Sequence, residues 1–228
     1  MNCFNKTKKC FVFIGFIFHL HNAIAGSYID FFRDIERDNS AAIQGYLRDG
    51  FDPNTVSEKA QPALLSALRA ESYKSAKVLI AHPNIQLDLT NPQGETPLMM
   101  AALKGNIELM NLLIARGALV NKPGWSPLHY AATGPSAAAV ALLIRHRADV
   151  NAASPNGTTP LMMAARYGIP ESLKLLIQAG ADLQASNAMG LNALDFARQG
   201  ARPDATEILH KLMDQPQWPD APTTTNND

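Results

Sequence analysis

The chain has little cysteine, and its two cysteines, Cys3 and Cys10, both lie near the amino terminus. A disulfide framework or a cysteine-based zinc site is therefore excluded for the rest of the chain. An excess of charge of one sign is also missing, because 20 Lys and Arg balance 20 Asp and Glu. Nucleic-acid binding favours a clustered basic face, which the sequence does not show. We expect packing alone to stabilise the fold, and no nucleic-acid partner.

Motifs for catalysis are missing as well. The sequence has no glycine-rich phosphate loop, and no two histidines have the i, i+4 spacing of a helical metal site. The weakest functional hypothesis is an enzyme or a metal protein. Such a protein would have to use His129, Asp195 or His210, which are scattered along the sequence. We expect no catalytic residue, no metal and no cofactor.

The first 25 residues have the layout of a secretory signal peptide. Three lysines precede an apolar run, Phe11–Phe18, and Ala23–Ala25 supplies a small-residue cleavage site. We expect cleavage after Ala25, a periplasmic or secreted location and no stable membrane insertion. The alternative is an uncleaved anchor, but a spanning helix needs about 20 apolar residues. Loss of the three lysines would leave 17 basic against 20 acidic residues, a net charge near −3.

A short helix-start sequence recurs along the rest of the chain. Its clearest copy is Glu95–Ala102, in which Thr96 suits an N-cap and Pro97 the first helical position. Trp125–Ala132 and Thr158–Ala165 repeat this frame, and two weaker copies flank them. The leucines shared by the five copies follow one another at steps of 34, 30, 33 and 33 residues: Leu64, Leu98, Leu128, Leu161 and Leu194.

This period and the Thr-Pro-Leu-His-type helix start resemble those of ankyrin repeats. Ser126–His129 and the two Thr-Pro-Leu-Met copies carry the resemblance, which covers about Tyr28 to Met213. It implies an all-α repeat solenoid of stacked helix-turn-helix pairs joined by β-hairpin fingers, with five to six repeats including degenerate caps. The expected units are 27–58, 59–92, 93–123, 124–155, 156–188 and 189–214. Residues 215–228, rich in Pro, Thr and Asn, should form a disordered tail.

Two irregularities interrupt the repeat. From Asn121 to Pro127 the chain takes six steps where the flanking copies take nine, so the finger that ends in Trp125 should be truncated. Arg147 stands where the preceding copy has Gly117. A left-handed backbone at this arginine would cost about 1 kcal/mol relative to glycine.

The resemblance implies a non-enzymatic protein–protein interaction module that binds through its concave face and its fingers. The residue two places after each shared leucine should lie in one row on that face, and Ser66 begins the row. The expected partner contacts are the apolar members of the row and the tryptophan of the truncated finger: Met100, Trp125, Tyr130, Met163 and Phe196. The alternative is that these side chains belong to the core. His129 should be structural, with hydrogen bonds to a neighbouring loop.

The expected partner is another protein, of unknown identity, bound by a monomer in the periplasm or outside a bacterial cell. A second hypothesis is a secreted effector that enters a host cell and mimics host ankyrin proteins. A short mature chain with only an export signal neither supports nor excludes this second hypothesis.

Overall fold

The computed structural model describes residues 27–214, and in this range twelve helices alternate with turns. The first, α1, covers residues 27–36. The others are α2 Ser40–Arg48, α3 Ala63–Arg69, α4 Tyr73–Ala81, α5 Pro97–Leu103, α6 Ile107–Ala115, α7 Pro127–Thr133, α8 Ala137–Arg145, α9 Pro160–Tyr167, α10 Pro170–Gln178, α11 Ala193–Gln199 and α12 Pro203–Met213. The predicted signal peptide and tail lie outside the described residues.

Contacts divide the chain into two compact units. Among the described residues, unit 1 holds 27–97 together with Ala115–Gly117, and unit 2 holds Leu98–Ile114 and 118–214. In unit 1, α4 packs against α2 and α3. In unit 2, α7, α9 and α11 pack side by side as one row of inner helices, and α8, α10 and α12 pack against them. This is the all-α repeat architecture that the sequence predicts.

The inner helices begin at caps that the repeat supplies. The Thr159 hydroxyl accepts a hydrogen bond from the Met162 amide at 3.4 Å, and Pro160 is the first residue of α9. The last copy replaces Thr-Pro but keeps a cap, since the Asn192 side chain accepts from the Asp195 amide at 3.1 Å. The Asp195 carboxylate in turn accepts from the Asn192 amide at 3.1 Å. This reciprocal capping box satisfies two amides that the helix itself leaves unpaired.

The fingers are shorter than the predicted β-hairpins. The Ser154 amide donates to the Thr158 carbonyl at 2.9 Å, and the turn between them contains Gly157 at φ +77°. The next residue, Thr159, already caps α9, so the ladder has no room to continue. Residues 27–214 accordingly contain one isolated bridge, Val56 with Pro62, and no extended strand.

Space between the inner helices is limited at three glycines, and the sequence analysis did not identify this constraint. Gly134, Gly168 and Gly200 follow α7, α9 and α11, and their φ values of −79°, −78° and −79° are open to any residue. A Cβ at Gly134 would lie 2.7 Å from the Leu103 carbonyl oxygen, and one at Gly200 would lie 2.6 Å from that of Arg166. Only glycine therefore fits between these inner-helix ends.

Arg147 has the left-handed backbone whose cost the sequence analysis considered. Its φ is +61°, and the equivalent Gly117 has φ +95°. The carbonyl of Arg147 accepts a hydrogen bond from the Asn121 side chain at 2.8 Å, and the same side chain accepts from the Asp149 amide at 2.8 Å. These bonds hold the turn in place although its arginine carries a Cβ that disfavours this conformation.

Candidate functional site

The row two places after the shared leucines is only partly accessible. Met100 and Phe196 are buried, with 4% and 6% of their surface exposed. Tyr130 and Met163 are half-buried, as is Trp125 in the truncated finger. Met100 and Phe196 therefore offer a partner little surface because neighbouring side chains already cover them. The residues that remain as proposed contacts with a partner are Tyr130, Met163 and Trp125.

One turn beyond Met163, α9 presents two side chains that the sequence analysis missed. Tyr167 is 55% exposed, although it is a large aromatic residue. The guanidinium of Arg166 lies 5.2 Å from the centre of its ring, within the range of a cation–π contact. The spacing could have revealed both, since residues i+3 and i+4 from Met163 lie on the same side of a helix.

Stacking of α7 on α9 extends this surface across two repeats. Tyr130 holds the same position in α7 that Met163 holds in α9, two places after the shared leucine. The Arg166 guanidinium also donates to the Gln199 side chain of the next repeat at 2.9 Å. We call Tyr130, Met163, Arg166 and Tyr167 the inner-helix face of unit 2. It combines two aromatic rings, a thioether and a guanidinium.

The truncated finger places Trp125 against α7. Its ring meets the ring of His129 edge-on, with centroids 5.2 Å apart and an angle of 72° between the planes. Gly124, at φ +79°, makes the turn before it. A Cβ on this glycine would meet the Pro155 ring at 3.5 Å, an ordinary contact distance. The finger is thus packed against the repeat, and Trp125 is half-buried rather than fully exposed.

His129 is buried and holds a finger in place, as predicted. Its Nδ1 accepts a hydrogen bond from the Ser126 amide at 3.1 Å, so the proton must lie on Nε2. Nε2 donates to the Thr158 carbonyl at 2.9 Å, in the finger of the next repeat. Burial lowers the pKa of His129, and this effect exceeds that of its hydrogen bonds to backbone and of the charge of Asp149, which act in the opposite direction. The neutral imidazole is therefore the form that the fold selects.

The other residues considered for catalysis also have structural surroundings. Asp195 is the carboxylate of the α11 capping box. His210 lies on α12, and its Nδ1 is 2.6 Å from the Asp214 carboxylate one turn later. Among residues 27–214, no three His, Cys, Asp or Glu side chains gather as a metal site requires. In the same range, no helix is both long enough and apolar enough to cross a lipid bilayer.

Unit 1 contains a groove of about 790 Å³ between α1, α3 and the first finger. Tyr28, Ile29 and Phe32 line one wall, and Ser66 and Arg69 line the other. Ser66 is the small member of the row that elsewhere carries methionine or an aromatic residue, and so leaves this space open. The Tyr28 hydroxyl donates to the Val56 carbonyl, and Arg69 pairs with Glu95. These two polar side chains of the groove walls are thus already engaged within unit 1.

Comparison with known proteins identifies the fold family. A family profile described as ankyrin repeats (3 copies) matches residues 32–123, 117–187 and 139–215. Ankyrin repeat and SAM domain-containing protein 6 of Rattus norvegicus is 34% identical over 111 residues, which are 47% of this chain and 12% of that protein. The human transient receptor potential cation channel subfamily A member 1 is 27% identical over 114 residues, 49% of this chain and 10% of the channel.

A shorter relative is matched over most of its length. The Notch-regulated ankyrin repeat-containing protein of Xenopus tropicalis is 45% identical over 80 residues, which are 32% of this chain and 70% of that protein. By contrast, the matched segment spans only about an eighth of the length of the rat protein. Taken with the profile matches from residue 32 to residue 215, these similarities show that the chain belongs to the ankyrin-repeat family and is a protein–protein interaction module.

Proposed function

We propose that this chain is an exported binding protein, and that the inner-helix face of unit 2 contacts its protein partner. The observation that carries the proposal is the exposed ring of Tyr167, 55% accessible, beside the guanidinium of Arg166. Tyrosine, tryptophan and arginine are the residues most enriched among those that dominate binding energy in protein interfaces. Tyr130 and Met163 extend the face, and Trp125 lies in the finger next to α7.

The face is already ordered in the absence of a partner. Arg166 is held by its contact with the Tyr167 ring and by its hydrogen bond to Gln199. Ordering a long side chain at an interface costs about 0.5–1.5 kcal/mol, so a guanidinium that is already held costs less to bind. A partner that presents a carboxylate next to an apolar side chain would match this arrangement.

A pull-down with the mature chain, followed by partner identification, provides the ligand for the test. Tyr167→Ala should then weaken binding about 30-fold, the effect of an interface residue that contributes about 2 kcal/mol. Its melting temperature should barely change because the ring is exposed. Trp125→Ala combined with Tyr130→Ala should also weaken binding.

Leu112→Ala is the matched control, since Leu112 is an exposed apolar residue of the outer helix α6, with 38% of its surface accessible. It should leave the affinity unchanged. If Tyr167→Ala and the double variant bind as tightly as the original chain, the inner-helix face is not the binding surface.

Export is tested separately by cell fractionation. We expect the protein in the periplasm or the medium, with Gly26 as its first residue and the mass of a monomer in light scattering. A full-length chain in the membrane fraction would support an uncleaved anchor instead. Recovery of the chain from the cytosol of a host cell would support the effector hypothesis, and recovery of uncleaved chain from the cytosol of the producing cell would refute export.

A further inference from the structure

The part of the chain around α8 carries positive charge and has no acidic residue to balance it. Basic and acidic residues are equal in number over the whole sequence, yet no Asp or Glu lies between Glu108 and Asp149. This is the longest interval without an acidic residue in the described range 27–214. Three of its basic residues belong to unit 2, and we call them the basic corner: Lys122, Arg145 and Arg147.

An ordered backbone carries the basic corner. Asn121 directly precedes Lys122, and its Nδ2 donates a hydrogen bond to the Arg147 carbonyl at 2.8 Å. The Arg147 amide donates to the Ile144 carbonyl at 2.9 Å, which closes the turn after Arg145, the last residue of α8. Arg145 and Arg147 are exposed, and Lys122 is half-buried. The cations therefore stand on a fixed turn and are accessible from solvent.

The charges of the basic corner are not used inside the fold. Within residues 27–214, none of its three side chains makes an ion pair or a hydrogen bond. Asp149, two positions after Arg147, forms no ion pair with them, and its carboxylate accepts a hydrogen bond from the Asn151 amide at 3.0 Å. Exposed cations of this kind attract an anionic group from solution.

Arg147 has a long side chain at a position where the backbone disfavours any side chain. In the described range, five residues other than glycine have positive φ: Asp38, Ala60, Glu71, Arg147 and Ala201. The Asp38 carboxylate accepts two amides of α4, Glu71 also has an interaction partner, and alanine has no functional group. Arg147 is thus the member of this set whose functional group contacts nothing within residues 27–214. Such strain without internal compensation is typical of a functional position.

The helix dipole does not account for Arg147. A cation in the last turn of a helix is stabilised by the dipole, and Arg145 occupies that position in α8. The effect falls off beyond the last turn, where Arg147 lies. Other repeats have glycine at the equivalent position: Gly50, Gly117 and Gly180. Glycine at residue 147 would relieve the strain, so the fold itself gains nothing from an arginine there.

The chemistry of the corner favours carboxylates of a protein over other anions. Guanidinium groups bind carboxylates with paired, parallel hydrogen bonds. Recognition of anionic lipid takes clusters of about four to eight Lys and Arg, and the corner has fewer. Single-stranded nucleic acid binds where bases also stack on aromatic rings, and the corner contains none. The family to which the chain belongs consists of protein–protein interaction modules.

We propose that the basic corner binds an acidic segment of a protein, with one carboxylate on Arg145 and another on Arg147. Lys122 adds a point charge that attracts the segment without fixing its orientation. Exposed charges of this kind speed association more than they raise affinity, so the contact is weak and depends on salt. The corner lies at the end of the outer helix α8, whereas the inner-helix face lies on α7 and α9, so this proposal does not rest on that face.

Fluorescence anisotropy of a labelled octaglutamate peptide tests the contact, with labelled octaglutamine as the control peptide. At low ionic strength the chain should bind octaglutamate more tightly than octaglutamine. Binding should weaken as salt is added because screening acts on exposed charges. Tyr167→Ala should leave this affinity unchanged, which separates the corner from the inner-helix face.

Two arginine substitutions give the specificity of the contact. Arg145→Gln combined with Arg147→Gly should weaken octaglutamate binding about fivefold, the effect of losing two exposed ion pairs. The melting temperature should not fall, because residue 147 then has the glycine of the equivalent positions, so lost binding would not reflect unfolding. Lys174→Gln removes one exposed cation of α10, outside the corner, and should leave the affinity unchanged.

Three results of these measurements would overturn the proposal. They are equal binding of the two peptides, an unchanged affinity of the double arginine variant, and a loss in Lys174→Gln as large as in that variant. Vesicles containing phosphatidylserine and an oligothymidine strand are the competing probes. Tighter binding of either of them than of octaglutamate would show that the corner recognises a different class of anion, and would refute an acidic protein segment as its ligand.

Discussion

Acid should destabilise this protein through one buried histidine. His129 has a lowered pKa because it is desolvated, and its proton acceptor, Nδ1, faces the Ser126 amide, which is itself a donor. Protonation would place two N–H groups against each other inside the fold. The unfolded chain has no such restriction, so its histidine takes up a proton with a pKa of about 6.5.

The sign of the pH effect follows from that difference. Well above pH 6.5 the histidine is neutral in both states, and pH does not change its contribution. Below pH 6.5 the unfolded state binds a proton that the folded state does not, so the free energy of unfolding falls as pH falls. The slope approaches about 1.4 kcal/mol per pH unit and continues until the lower pKa of the folded state is reached.

His129→Met provides the matched perturbation because Met99 and Met162 hold the equivalent positions in the flanking repeats. The Met162 sulfur lies 3.4 Å from the Thr159 amide, so methionine replaces part of the interaction that histidine makes with its cap. The Thr158 carbonyl would lose the donor on Nε2 but would keep the Ser154 amide at 2.9 Å. We therefore expect a loss of about 1 kcal/mol at neutral pH, the net value of one hydrogen bond.

Urea unfolding from pH 7.5 to pH 5.5 measures both effects. The difference between the original chain and His129→Met should shrink or change sign as pH falls, since only the original chain has the buried imidazole. All the other histidines are present in both proteins and cancel in the difference. Parallel stability profiles over this range would show that His129 does not titrate as its surroundings require, and would refute the reasoning.

Four substitutions test the packing and the backbone geometry of the repeats, each measured by the free energy of unfolding. Ala131→Leu adds volume at a side chain with no exposed surface and should cost about 1–3 kcal/mol; an unchanged stability would contradict the proposed repeat register. Gly134→Ala should cost a similar amount because its Cβ would meet the Leu103 carbonyl, whereas Gly45→Ala, with open space inside α2, should stabilise by about 0.5–1 kcal/mol. Equal effects of these two glycine substitutions would show that helix propensity, and not the space around the added Cβ, determines the change in stability. Arg147→Gly should stabilise by about 1 kcal/mol because its φ of +61° disfavours a side chain, and a loss of stability would show that the arginine makes a compensating contact.

Helix boundaries were predictable where capping and periodicity agreed. The prediction that Pro97 stands at the first helical position is confirmed, because α5 begins at this residue. Proline at the first helical position and glycine or asparagine between helices are local signals, and each acts within a few residues. The structural role of His129 was predictable for the same reason, since the motif that contains it specifies its neighbours.

Exposure was not predictable from the repeat alone. Met100 and Met163 hold the same position in their repeats, yet Met100 is buried and Met163 is half-buried. Tyr167 is the one exposed residue of α9, although its position in the repeat is simply the end of a helix. How much of a side chain is covered depends on the volumes of residues about 30 positions away, and the period does not encode these volumes.

The sequence by itself determined the period, the helix starts and the identity of the buried histidine, because capping and hydrophobic spacing are local properties. The tertiary structure alone decided which members of a repeated row remain accessible and why three glycines without positive φ are required. Both depend on the distance between backbones of successive repeats. At Gly134 that distance leaves no room for a single methyl group.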